Sequence, residues 1–116
     1  PVQRFIAAMA CADLFLDTAG FNAGAIGVLA LNAGLPLITI AGNRFCARMG
    51  ASLCNGVHQP QLITTTPEAY QQKAIELATT PGAIAQLKAQ LHSAPQGLPL
   101  FQQRLWVSSL VAALNG

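Results

Sequence analysis

Two short apolar runs, Leu14-Phe15-Leu16 and Leu37-Ile38-Thr39-Ile40, bracket a segment punctuated by Gly20, Gly24, Gly27 and Gly34. Runs this short and this uniformly apolar suit buried strands of a parallel sheet covered on both faces. The first run breaks at Asp17-Thr18. The spacing after it predicts a helix over 24–32 that ends at Gly34, with Leu35-Pro36 restarting an extended strand. Strand, turn and helix in this order create the edge at which an open α/β sheet usually holds a ligand.

The rest of the chain continues the alternation. Phe5, Ala8, Met9 and Ala12 recur at helical spacing ahead of the first strand. Gly42-Asn43 reads as a turn, 45–53 as a helix closed by Gly56, and Leu62-Ile63-Thr64 as a third strand. Thr66 is placed to cap a helix with Pro67 in its first turn, where a missing amide hydrogen costs nothing. Tyr70, Ala74, Leu77 and Ala78 give that helix its apolar face. Thr80-Pro81 repeats the cap-and-proline arrangement before Ile84, Leu87 and Leu91. A loop over 94–99 precedes a terminal helix over 101–114, with Phe101, Leu105, Trp106 and Leu110 available for packing. The fold class expected is α/β, a partial Rossmann-like parallel sheet with flanking helices. Three strands are few for a doubly wound sheet, which suggests the later half of a nucleotide-binding domain.

Composition narrows the function. The 116 residues hold six basic and four acidic side chains, and charged residues make up 9% against an apolar share of 53%. Soluble chains usually carry roughly a quarter charged residues, so part of this surface is expected to face a partner subunit or more of its own polypeptide. Arg4, Arg44, Arg48, Lys73, Lys88 and Arg104 are scattered and make no phosphate-backbone footprint, which argues against nucleic acid. Every long apolar stretch is interrupted by glycine, proline or polar residues, which argues against a membrane span. Cys11, Cys46 and Cys54 form an odd set without a CxxC pair, as expected of reduced thiols in a cytoplasmic protein. Pro1-Val2-Gln3-Arg4 reads as a cut into a longer chain.

Few side chains offer chemistry. Asp17 either contacts a ligand or accepts amide hydrogens at the strand-to-loop break, the commoner role of an aspartate there. Gly24 to Gly27 can place backbone amides at a helix N-terminus, where an anionic phosphate is favoured, although the spacing is GxxG rather than the GxGxxG fingerprint. Packing is the alternative role for Gly27, and Asn22 can orient a ligand or cap the helix. Arg44 and Arg48 are placed to meet a phosphate or to lie on the surface. His58 and His92 lack ligand-spaced companions, and no serine elbow, P-loop or zinc cluster occurs. Tyr70 and Trp106 read as core or docking residues. No catalytic or metal-binding residue is assigned.

The order of these pieces resembles the C-terminal end of the catalytic region of the protein O-GlcNAc transferase family, including its SPINDLY-type and HMW1C-like relatives. The resemblance runs from Ala12-Asp13-Leu14-Phe15-Leu16-Asp17-Thr18 through Asn22 and Leu31-Asn32-Ala33-Gly34-Leu35-Pro36. It continues through Gly42, Phe45, Ala47-Arg48, Ala51-Ser52-Leu53 and Glu68-Ala69-Tyr70 to Leu98-Pro99-Leu100-Phe101. It implies that residues 1–116 are a single domain or fragment, the latter part of the C-terminal, nucleotide-sugar-binding second lobe of a GT-B glycosyltransferase. The implied reaction moves a sugar from a UDP-sugar donor to protein side chains, with no other cofactor. Thr18, Asn22, Gly24, Ala25, Ile26 and Gly27 would lie at the donor.

The implied partners are the upstream part of the same polypeptide and a polypeptide acceptor, with a homo-oligomer open. The isolated piece is expected to be inactive. Gly24, Ala25 and Ile26 replace a histidine and two threonines of the best-known members, Leu29 replaces an aspartate directed at the donor ribose, and Asn43 replaces an acidic residue. Those departures leave a second reading, a non-catalytic interaction or regulatory module with a degenerate donor site.

Overall fold

A computed structural model describes residues 2–93 and 98–115, without the side chains of Val2, Ser93, Gln103 and Trp106. Its elements run α1 (Val2–Cys11), β1 (Phe15–Leu16), α2 (Ala25–Asn32), β2 (Leu37–Ile40), α3 (Met49–Gly56), β3 (Ile63–Thr64), α4 (Pro67–Thr79), α5 (Ala83–Ser93) and α6 (Gln103–Asn115). Short 3-10 turns occupy Phe45–Ala47, Pro60–Leu62 and Pro99–Phe101. The strands form one parallel sheet in the order β1-β2-β3. Phe15 pairs with Leu37 and Leu16 with Ile38 on one side of β2, and Thr39 with Ile63 and Ile40 with Thr64 on the other. The chain is thus α/β with flanking helices, as its alternation predicts.

β2 is the centre of the fold. Leu37, Ile38 and Thr39 are all fully buried, and successive strand residues point to opposite faces, so helices cover both sides of this strand. Leu31, Leu37, Leu53, Leu62, Leu87 and Leu91 belong to one apolar cluster, and Met9, Ala30 and Leu35 form a second beneath α1. α2 ends where the sequence places its stop. Gly34 adopts φ 85°, its amide bonds the Leu31 carbonyl at 3.0 Å, and the Leu35 amide bonds Ala30 at 2.9 Å. This is the double bond of a Schellman cap, which needs a residue without a Cβ penalty at positive φ.

Four expectations are corrected. β1 is not a fully buried strand, because it lies at the sheet edge with Leu16 57% exposed. The helix expected over 45–53 is a 3-10 turn followed by α3, separated at Arg48, and Leu62 closes a 3-10 turn rather than opening β3. Thr66 caps α4 as expected, its hydroxyl accepting the Ala69 amide at 3.0 Å. Thr80-Pro81 does not repeat it: Thr80 terminates α4, Pro81 and Gly82 turn the chain, and α5 starts only at Ala83.

Two other expectations fall partly outside what is described. Residues 94–97 of the expected loop and the Trp106 side chain lie outside the described residues. α6 forms, but Leu105 and Leu110 stay 44% and 43% exposed instead of packing into the core. No helix among the described residues is long and apolar enough to cross a membrane.

Candidate functional site

Because all three strands are parallel, their C-terminal ends share one edge, where α2, α3 and α4 begin. Asp17, the first residue after β1, is the hub of that edge and is 4% exposed. Its Oδ1 accepts the amides of Thr18 at 2.9 Å and Ala23 at 2.8 Å, while Oδ2 accepts the Thr39 hydroxyl at 2.8 Å. Its own amide donates to the Ile38 carbonyl at 3.0 Å, and its carbonyl accepts the Tyr70 hydroxyl at 2.8 Å. The carboxylate is therefore an internal acceptor, the commoner of the two roles read from the sequence.

Asn22 is equally committed. Its Nδ2 donates to the Thr18 carbonyl at 2.9 Å, its amide donates to the Cys46 carbonyl at 2.7 Å, and its Oδ1 accepts the Gly50 amide at 2.9 Å. Gly50 lies in the first turn of α3, whose own preceding residue supplies no side-chain cap. Asn22 thus caps α3 across the chain and not α2. The Thr18 hydroxyl donates to the Phe21 carbonyl, closing the loop on itself.

These bonds deliver the chain to Gly24, which precedes α2 with φ −94° and ψ −95° and no side-chain cap. The first-turn amides of Ala25, Ile26 and Gly27 have no acceptor within the helix. Ala25 and Ile26 are exposed residues, and their amides form the partially positive end of the helix. Gly27 is buried; a Cβ there would lie 2.7 Å from Leu53 Cδ1. This is the packing role read for Gly27 from the sequence. Leu29 is directed to the second apolar cluster, with Met9 and Leu35.

Arg48 Nη1 donates to the Gly42 carbonyl at 3.0 Å and braces the loop after β2, while Arg44 is exposed. His58 and His92 are exposed and far apart in the fold order, on the loop after α3 and at the end of α5. Among the described residues no group of three or more His, Cys, Asp or Glu could hold a metal. All three cysteines are free. Cys54 donates to the Leu37 carbonyl at 3.3 Å, and burial, with a smaller push from the Asp17 charge, raises its pKa to about 12. Burial and then the same charge also raise Tyr70 above the usual phenol value.

Sequence reading did not single out Thr39 and Gly50, which the structure joins to Asp17 and Asn22 at this edge. A Cβ on Gly50 would fall on Thr39 Oγ1 and Asp17 Oδ2, so only glycine lets α3 approach this closely. An isolated glycine within an apolar helical pattern was the available signal.

The family model for glycosyl transferase family 41 matches residues 3–110. A probable UDP-N-acetylglucosamine–peptide N-acetylglucosaminyltransferase, SEC of Arabidopsis thaliana, is 32% identical over 101 residues, covering 85% of this chain and 10% of that protein. A solved K341M mutant of the Thermobaculum terrenum O-GlcNAc transferase superposes with a TM-score of 0.88 at 24% identity, over 98% of this chain and 22% of that one. The fold is shared, and the chain spans about a tenth and about a fifth of these relatives. On the match across nearly its whole length, the chain belongs to glycosyl transferase family 41.

Proposed function

We propose that this chain is the latter part of the nucleotide-sugar-binding lobe of a GT-B transferase that moves a sugar from a UDP-sugar to protein side chains. The observation that carries the reading is the first turn of α2, which has no side-chain cap and follows a hydrogen-bonded loop at the C-terminal edge of the sheet. A diphosphate matches that site in charge and in acceptor geometry. As the bond between the anomeric carbon and the β-phosphate oxygen breaks, negative charge grows on the departing UDP, and fixed amides stabilise it without reorganising. Ala25, Ile26 and Gly27 contribute through backbone; Thr18, Asn22 and Gly24 set the loop's path.

The cleft for the acceptor polypeptide and the group that takes the acceptor's proton belong to other parts of this polypeptide in this reading, so these residues alone bind without turnover. The free edge of β1 supports that partner. Leu16 is exposed on it, and apolar grooves of about 540 Å³ flank it on both sides, one lined by Phe5, Met9 and Ile26 and the other by Ala74, Ile75 and Ile84. A strand edge unpaired among the described residues, between two apolar grooves, suits a further strand with covering helices from the upstream polypeptide.

A non-catalytic module is favoured by one fact, that Gly24, Ala25 and Ile26 offer no polar side chain. Calorimetric titration of the full-length protein with UDP and UDP-sugars separates the two. Saturable binding in the micromolar to millimolar range supports the donor site; no heat at millimolar UDP removes it.

A further inference from the structure

We infer that Asp17, braced by Thr39, is a positioning residue for the donor site: it fixes the path of 18–24 and thereby the direction of the α2 amides. The inference rests on the donor reading above. Oδ1 binds the Thr18 and Ala23 amides together, so one oxygen pins both ends of the loop. Ala23 immediately precedes Gly24, whose irregular backbone angles set the course of α2. The second oxygen takes the Thr39 hydroxyl from the middle of the sheet, which ties the loop to the most buried strand of the fold. Tyr70 fixes the same residue from α4 through the Asp17 carbonyl. A buried carboxylate is a costly device for holding a loop, and apolar packing often serves as well where only stability is needed. What the carboxylate adds is direction: two amides and a hydroxyl are held by charge-assisted bonds in a single arrangement.

The same node sets α3. Its glycine at position 50 rests directly on Asp17 Oδ2 and Thr39 Oγ1, and Asn22 takes the Gly50 amide. The starts of α2 and α3 are therefore registered to one another through Asp17. Asp17 does not need to touch the donor, because both of its oxygens are occupied internally.

The test uses the full-length protein with Asp17→Ala, Asp17→Asn and Thr39→Val, each assayed well below its own unfolding temperature. UDP affinity is measured by calorimetry and amide exchange is followed across 18–27 and 37–40. Asn keeps an Oδ1 acceptor for both amides, so D17N should bind UDP within about threefold of the parent, whereas D17A should lose about tenfold or more. D17A should also exchange faster across 18–24 with β2 unchanged, and T39V should fall between.

A folded D17A with parental affinity and exchange overturns the inference. So does a D17N as weak as D17A with undisturbed exchange, since the loss of affinity would then not run through the path of the loop. Should D17A fail to fold, T39V decides by the same two readouts. Should the parent protein itself not bind UDP, the donor reading falls, and faster exchange confined to 18–24 in the variants still upholds the positioning role while unchanged exchange removes it.

Discussion

The loop from Asp17 to Gly24 and the terminal helix α6 are built on opposite terms. In the loop the polar side chains of Asp17, Thr18 and Asn22 are all bonded within the chain, and with the hydroxyls of Thr39 and Tyr70 they tie β1, β2, α3 and α4 together. α6 has the apolar content of a packed helix, yet Leu105, Val107, Leu110, Val111 and Leu114 are 43–77% exposed. Its Ser108 hydroxyl only bonds back to Arg104 and Leu105 within the helix. The difference separates what these residues determine for themselves from what they offer to a neighbour. The hydrogen-bonded geometry of the loop is specified internally, while apolar surface is left at the periphery.

Gly50→Ala is the most severe way to break the first region, because the added methyl overlaps Thr39 and Asp17 in a filled site. It should cost about 2 to 3 kcal/mol in denaturant unfolding. A loss below 1 kcal/mol would mean that α3 is free to move off the node.

Alkaline pH probes the same region through Cys54. The unfolded thiol ionises near its ordinary value of 9.0 and the folded one near 12, so the folded state binds more protons between them. Stability is therefore full below about pH 9 and falls as pH rises toward 12, by up to about 1.4 kcal/mol per pH unit from this group. Cys54→Ala should lose less stability between pH 9 and 10 than the parent; equal losses would contradict the burial of this thiol.

Thr66→Ala, at the start of α4, removes an exposed cap and should cost about 1 kcal/mol in the same unfolding assay. At the other pole of the comparison, Leu110→Gln in this chain should change stability by less than about 0.5 kcal/mol, as exposed positions do. A cost well above 1 kcal/mol would show that α6 packs on the core after all.

Much of this fold was legible because its signals are local. The stop at Gly34, the four-residue run of β2 and the Thr66-Pro67 start each depend on neighbours within a turn, and each stands where the sequence places it. Thr80-Pro81 shows the limit of the same logic: the residues fit a cap, but the end of α4 claims Thr80 and Gly82 turns the chain at φ 81°. β1 was read as buried from its composition, although burial depends on what pairs beyond it. At the site, the edge and the glycines were visible in the sequence. The Asn22 bond to Gly50 and the Asp17 bond to Thr39 join residues more than twenty positions apart, and no local pattern announces them.

Amide exchange of the full-length protein with and without UDP tests the account most directly. The donor reading predicts that saturating UDP slows exchange at Ala25, Ile26 and Gly27 more than elsewhere in α2, β2 or α6. Protection that appears only outside the first turn of α2, with those three amides exchanging at their unliganded rates, would contradict it.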